Sequence, residues 1–202
     1  MKLTLEQIKK LIPQRVHDSH KGSFRPVYAL GGSSEKEGAI EMTALAALRV
    51  GCGLATIYSF SDLVHVPLEV MFEKLGFFWK RKLSSVIARN AEASRDNLVI
   101  ALGPGLGTSR RAQKLTKFIL ENFHSPLVVD ADALNCLSVT PALSLRALQN
   151  QKGEVECGNL CPIFTPHPGE FSRLTHYSIK EIQVQRESLS VEYKKKMNVI
   201  LV

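Results

Sequence analysis

The stretch NLVIALGPGLG, running from Asn97 to Gly107, limits the fold more than any other part of the chain. Residues 98–102 are wholly apolar, include Val99 and Ile100, and stop at Gly103-Pro104-Gly105-Leu106-Gly107. A short apolar run closed by glycines is the pattern of a buried strand in a parallel sheet. Thr108 or Ser109 then offers a cap for a helix expected over residues 110–122. Strand, glycine turn and helix start together form a cradle for a polar ligand. Glycine lets a ligand approach the backbone, and the first helical N–H groups meet its negative charge. The spacing is G-x-G-x-G, so the dinucleotide fingerprint G-x-G-x-x-G is not met. A tight strand-to-helix turn without a ligand is the competing reading.

The rest of the chain repeats the alternation. Thr4 and Gln7 read as a capping box ahead of a first helix with the apolar stripe Leu5, Ile8, Leu11 and Ile12, ended by Pro13. Strands are expected at residues 27–30, 54–58, 126–130, 162–165 and 198–202. Helices are expected at 38–50, 71–76, 78–91, 133–137 and 141–149, and from 170 onward, with 178–196 as one helical stretch. Alternating strands and helices imply a parallel α/β sheet, in which ligands lie beyond the carboxyl ends of the strands. The motifs GGSS, GPGLG, DADALN and TPHPGEF each follow a strand, so they are expected to converge on one rim. His20-Lys21 precedes the first strand and belongs to the opposite rim, where Lys21 reads as structural or as surface.

Composition narrows the class. The 202 residues allow one domain with a full core, and no apolar run reaches the length of a membrane span. The N-terminus MKLTLEQIKK lacks a signal-peptide apolar core, so a cytoplasmic protein is expected. Cys157 and Cys161 are spaced C-x3-C, too few ligands for a structural zinc site, and all four cysteines are expected as free thiols. The net charge of +7 comes from short basic clusters such as Lys80-Arg81-Lys82 and Lys194-Lys195-Lys196. They read first as solvated helix faces and second as a field for a phosphorylated small molecule. Without interleaved aromatics, nucleic acid is not an expected partner.

Two motifs carry candidate chemistry. Asp130 and Asp132 flank Ala131 after a strand, where carboxylates can hold a hydroxyl or a magnesium-bound water. Asp132 reads as a helix N-cap and Asp130, at the strand tip, as functional. In His167-Pro168-Gly169-Glu170 the prolines on either side of His167 stiffen the turn, and Pro168 and Gly169 rule out a helical zinc-binding H-E-x-x-H. His167 can donate to a carbonyl or amide, and Glu170 can orient a metal-bound water. The competing reading is an exposed turn whose Glu170 favours the helix dipole.

HKGSFRPVYALGGS, GAIEMTALAALRVGCGLATIYS, ALGPGLG, PLVVDADALN and PIFTPHPGEFSRL stand in the order and approximate spacing of the ATP/ADP-dependent NAD(P)H-hydrate dehydratases, a ribokinase-like family that this chain resembles from about His20 onward. The resemblance implies a three-layer ribokinase-like α/β fold with a mostly parallel central sheet, C-terminally incomplete. Residues 1–19 would be an N-terminal helix and lead-in, and residues 20–202 the dehydratase domain. It implies repair of hydrated NADH or NADPH: a nucleotide, ATP or ADP, phosphorylates the hydroxyl at C6 of the nicotinamide ring, phosphate leaves, and the dihydronicotinamide returns. Ala39, Gly105, Gly107 and His167 would contact the hydrate, with Asp130 beside them, and Glu170 would help hold Mg2+. A homo-oligomer is expected, with neither membrane nor nucleic acid as partner.

Two departures from the family pattern stand out. Arg25 occupies a position where glycine is usual. Residues 198–202 resemble the strand leading into the family's Lys-Gly nucleotide-binding turn, but neither that turn nor the later G-x-G-D segment, which supplies the anion hole and catalytic Asp, occurs in these 202 residues. No catalytic residue is therefore assigned, and residues 1–202 alone are expected not to catalyse the dehydration. Two alternatives stay open: a non-catalytic binding remnant of the family, and a ribokinase-like kinase of a small vitamin-like alcohol, against which HPGEF argues.

Overall fold

Every strand of the sheet runs the same way, and its order places the glycine turn at the centre. The structure, a computed structural model, describes residues 4–12, 15, 17–93, 98–123, 126–139 and 161–202. Among these, seven strands pair in parallel: β1 (Pro26–Leu30), β2 (Leu54–Ser59), β3 (Met71–Lys74), β4 (Val99–Leu102), β5 (Leu127–Val129), β6 (Ile163–Phe164) and β7 (Ile200–Leu201). Their order is β3-β2-β1-β4-β5-β6-β7. The described helices are α1 (Leu5–Leu11), α2 (Glu37–Val50), α3 (Trp79–Ala93), α4 (Arg110–Asn122), α5 (Asp132–Ser138), α6 (Pro168–Thr175), α7 (Ile179–Val184) and α8 (Arg186–Met197). The helix expected at residues 141–149, and Cys157, lie outside the described residues. No described helix is long and apolar enough to cross a membrane.

Strand alternation divides the core into two layers of packing. Ala29, Ala55 and Ile57 pack with Ile40 and Ala44 of α2, whose alanines let it lie against β1 and β2. Leu30, Tyr58, Leu102, Val129 and Phe164 join the larger cluster, which gathers side chains from α3 through α8. Helices on both faces of the sheet make the three-layer α/β architecture that the sequence implied. The carboxyl ends of β1 and β4, adjacent in the sheet, point to the same rim.

Local signals placed most boundaries. α4 covers the expected residues, with Ser109 as its cap accepting from the Ala112 N–H. α1 carries the Thr4–Gln7 capping box, and Gly51, at φ 114°, ends α2 in the left-handed region.

Three expectations are corrected. Residues 71–74 form β3 rather than a helix: Met, Glu and Lys favour helix locally, but pairing of Thr56 with Met71 through Ser59 with Lys74 overrides that preference. The helical stretch of 178–196 is broken at Gln185 into α7 and α8, which lets Ile182, Leu189 and Tyr193 all reach the core. Cys52 and Cys136 are free thiols, but Cys161 is disulfide-bonded.

Gly31 and Gly38 give a paired test of this packing. A Cβ on Gly31 would lie 2.1 Å from the Pro104 carbonyl oxygen, whereas one on Gly38 meets nothing within 4 Å. Urea unfolding is expected to show Gly31→Ala destabilised by about 2 kcal/mol or more through forced backbone displacement. Gly38→Ala, on the exposed side of α2, is expected to gain about 0.5–1 kcal/mol from lower unfolded-state entropy. Equal effects would contradict the close approach of β1 and the glycine turn.

Candidate functional site

The sheet order makes β1 and β4 the switch point. From β1 the chain proceeds to β2 on one side, and from β4 to β5 on the other. The crevice between two such strands is where open α/β sheets bind ligands. Here the two strand tips are laced together. Gly103 N–H donates to the Leu30 carbonyl at 3.0 Å, Gly32 N–H to Pro104 at 3.0 Å, and Ser33 N–H to Gly105. Gly103 and Gly105 hold φ of 122° and 61°, and a Cβ on Gly105 would strike the Lys36 carbonyl oxygen at 2.3 Å. These turns therefore need glycine for both conformation and space.

Four of the predicted residues belong to this laced rim. Ala39 is half-buried in the first turn of α2, directly after the loop that contacts Gly105. Gly105 is buried and Gly107 half-buried. Asp130 is half-buried at the tip of β5, its backbone N–H bonded to Leu102 at 3.0 Å. Its carboxylate makes no hydrogen bond or ion pair among the described residues.

Asp132 departs from its expected role. The N-cap of α5 is Ala131, at φ 50° and ψ −124°, without a side-chain capping bond. Such a conformation is strained for a residue with a Cβ, by about 1–3 kcal/mol. It sets Asp132 as the first helical residue, with its carboxylate across the rim. Oδ2 accepts from Gly107 N–H at 2.8 Å and from Lys36 Nζ at 3.1 Å, and Oδ1 from Asn135 Nδ2 at 3.3 Å. Burial works against its charge, but these bonds and the Lys36 cation outweigh it and hold the carboxyl below its ordinary value. Its contribution to stability is thus present above the unfolded-state pKa and lost as acid is added through the lowered folded-state value. The anion received by the Gly107 N–H is the protein's own Asp132, paired with Lys36, so this donor of the turn is already filled.

His167 caps α6. Its Nδ1 accepts from Gly169 N–H at 3.0 Å, which leaves the proton on Nε2, 3.2 Å from Glu170 Oε1. Glu170 Oε2 accepts from the His167 N–H at 3.0 Å, closing a reciprocal capping box. The Glu170 side chain is 8% exposed and that of His167 60%. Glu170 is therefore buried rather than on an exposed turn. Behind it, Phe171 meets Tyr193 of α8 edge-on, with ring centroids 5.4 Å apart. Among the described residues no hydrogen bond joins His167 directly to the glycine turn, but β6 lies beside β5, so its turn follows Asp130 along the rim.

Sequence reasoning missed the bridge between these two halves. Arg173, on α6, donates through Nε to Asn135 Oδ1 at 2.7 Å, and Asn135 in turn donates to Asp132. Lys36 lies in the polar run SSEKEG, which carries no pattern to distinguish it. The three-residue spacing of Asp132 and Asn135 on α5 was a usable signal, since it puts both on one helix face.

Residues 27–202 match the family model described as NAD(P)H-hydrate dehydratase. The chain belongs to that family. It is 34% identical over 198 residues to the bifunctional NAD(P)H-hydrate repair enzyme of Coxiella burnetii, covering 95% of this chain and 35% of that protein. It is 28% identical over 199 residues to the ADP-dependent (S)-NAD(P)H-hydrate dehydratase of Bacillus subtilis, covering 98% of this chain and 64% of the relative. A crystal structure of the B. subtilis ADP/ATP-dependent NAD(P)H-hydrate dehydratase, co-crystallized with ATP/Mg2+, superposes with a TM-score of 0.72 at 28% identity, covering 98% of this chain and 64% of that one. A ribokinase-like superfamily protein of Enterococcus faecalis gives a TM-score of 0.73 at 27% identity. The chain thus spans about a third of the bifunctional relatives and between 53% and 64% of the ADP-dependent dehydratases.

In this dehydratase-family chain the described residues do not form a magnesium site by themselves. No group of three or more His, Cys, Asp or Glu side chains among them is placed to hold a metal ion. Both Glu170 oxygens already face His167.

The capping box itself is testable. Glu170→Ala removes the acceptor that closes the capping box on the His167 N–H and is expected to cost about 0.5–1.5 kcal/mol in urea unfolding. Glu170→Gln keeps one acceptor and is expected to cost less. Two variants as stable as the parent chain would contradict the arrangement.

Proposed function

We propose that this chain binds the hydrated form of NADH or NADPH at the rim formed by residues 31–39, 103–107, 130–135 and 167–173, and that the whole protein uses ADP or ATP to dehydrate it. The observation that carries this reading is the family match over residues 27–202, with the rim motifs gathered at and beside one switch point. The lacing of β1 to β4 supports it further. A wall whose Gly107 donor is filled by Asp132, itself paired with Lys36, suits an uncharged ring better than a phosphate. The hydrated nicotinamide is such a ring.

In the proposed reaction the C6 hydroxyl gives up its proton to a base of the whole protein as its oxygen takes the nucleotide's terminal phosphoryl group; the phosphoanhydride bond breaks and the nucleotide leaves with one phosphate fewer. The carbon–oxygen bond then breaks, phosphate departs with its electrons, and loss of a proton from the neighbouring ring carbon restores the double bond. This chain's part is recognition: Ala39, Gly105 and Gly107 shape the wall, Asp130 offers an uncommitted carboxylate for a ring hydroxyl, and the exposed His167 imidazole flanks it. Any magnesium would travel with the nucleotide phosphates, and Glu170, whose oxygens are engaged by His167, would help hold it by orienting a metal-bound water. The partners under this reading are the hydrate and a nucleotide, in a soluble, cytoplasmic setting.

Binding is the direct test. Gly107, at φ 73°, has room for a methyl group, whose nearest contact would be Ser33 Oγ at 3.5 Å. Gly107→Ala is therefore expected to keep the fold, checked by circular dichroism, while the methyl group and the positive-φ strain at the rim weaken NADPH-hydrate binding by about tenfold in calorimetry. Equal affinity of parent and variant, or no binding by the parent chain, would contradict the placement.

A further inference from the structure

We infer that Asp132 and Asn135 are positioning residues which lock the glycine turn to the helix carrying His167, so that the two halves of the rim meet the substrate as one rigid surface. This rests on the functional reading above. The chain of contacts is continuous. Gly107 N–H donates to Asp132 Oδ2 at 2.8 Å, Asn135 Nδ2 to Asp132 Oδ1 at 3.3 Å, and Arg173 Nε to Asn135 Oδ1 at 2.7 Å. Arg173 lies on α6, whose first turn is His167-Pro168-Gly169-Glu170. Lys36 adds the β1–α2 loop to the same carboxylate.

Three features mark this as more than an incidental surface network. The Asp132 side chain is only 14% exposed, although Lys36 is 55% exposed, so the carboxylate and not the cation sits at the centre. Its orientation is obtained at the expense of a strained Ala131, at φ 50° and ψ −124°, where a glycine would relieve the strain. Asn135 uses its amide in both senses, donating to Asp132 and accepting from Arg173, an orientation that neither Asp nor Leu would reproduce. Removal of Asn135 cuts the hydrogen-bonded tie between α5 and α6, and removal of Asp132 cuts the one between α5 and the glycine turn, while the predicted substrate contacts Ala39, Gly105, Gly107 and His167 stay in place.

The experiment combines amide spectra with binding on the 202-residue protein. Asn135→Ala removes the link to Arg173 but keeps the Asp132–Gly107 bond. Its Gly107 amide signal is expected to stay close to its parent position, while the His167 and Gly169 amide signals move and NADPH-hydrate affinity falls by about tenfold. Asp132→Asn, which keeps the side-chain shape and loses the charge, is expected to move the Gly107 amide as well, with a loss of affinity at least as large. A local structural role at α5 would leave the His167 and Gly169 signals unmoved. Unmoved signals in Asn135→Ala overturn the inference, as does unchanged affinity in both variants. Absence of hydrate binding by the parent chain is read before any variant is made; it overturns the functional reading and this role with it.

Discussion

The contact on which the site depends is the backbone lacing of β1 to β4 beyond their last paired residues. Leu30 and Leu102 end the two strands side by side, and the chain then turns away in opposite directions. At an ordinary switch point this leaves an open crevice. Here Gly103, Gly32 and Ser33 carry the hydrogen bonding outward across it. The approach is possible because Gly31 presents no Cβ to the Pro104 oxygen and Gly103 none to that of Asp130. The motifs GGSS and GPGLG are thus one structural unit, and each glycine run is understood only beside the other.

Charge is arranged on top of that backbone. Glycine-rich turns at helix starts commonly receive an anion from a ligand. In this chain an anion is already built in, as Asp132, and its countercharge is Lys36 from the other side of the switch point. The same economy recurs at His167, whose ring nitrogens face the Gly169 N–H and Glu170. Both turns are satisfied internally. The site is therefore preorganised before any substrate arrives, which is what close positioning of a ring requires.

Much of the fold could be read from local pattern. The apolar run before GPGLG, the Ser109 cap, the Thr4 capping box and the alanine-rich α2 are signals carried within one element, and the structure places each where the pattern put it. Where the reading failed, a distant partner decided. Met71–Lys74 has helix-favouring residues, and only its pairing with β2 makes it a strand. Asp132 has the chemistry of an N-cap, but the capping position went to a strained Ala131 because the Gly107 N–H, far away in sequence, needed an acceptor. The Arg173–Asn135 bond joins residues 38 apart in sequence, and no spacing rule reports such a contact. The candidate site was legible as four motifs on one rim; the bonds that fasten them together were not.

The central claim is that these four motifs act as one binding surface for a hydrated nicotinamide dinucleotide. Hydrogen–deuterium exchange of the 202-residue protein with and without NADPH hydrate measures this directly, because it reads backbone protection segment by segment. The account predicts that residues 31–39, 103–109, 130–138 and 167–173 gain protection together at the same hydrate concentration, while the opposite rim around Lys21–Ser23 is unchanged. Protection confined to a single motif, or centred on the opposite rim, would contradict it.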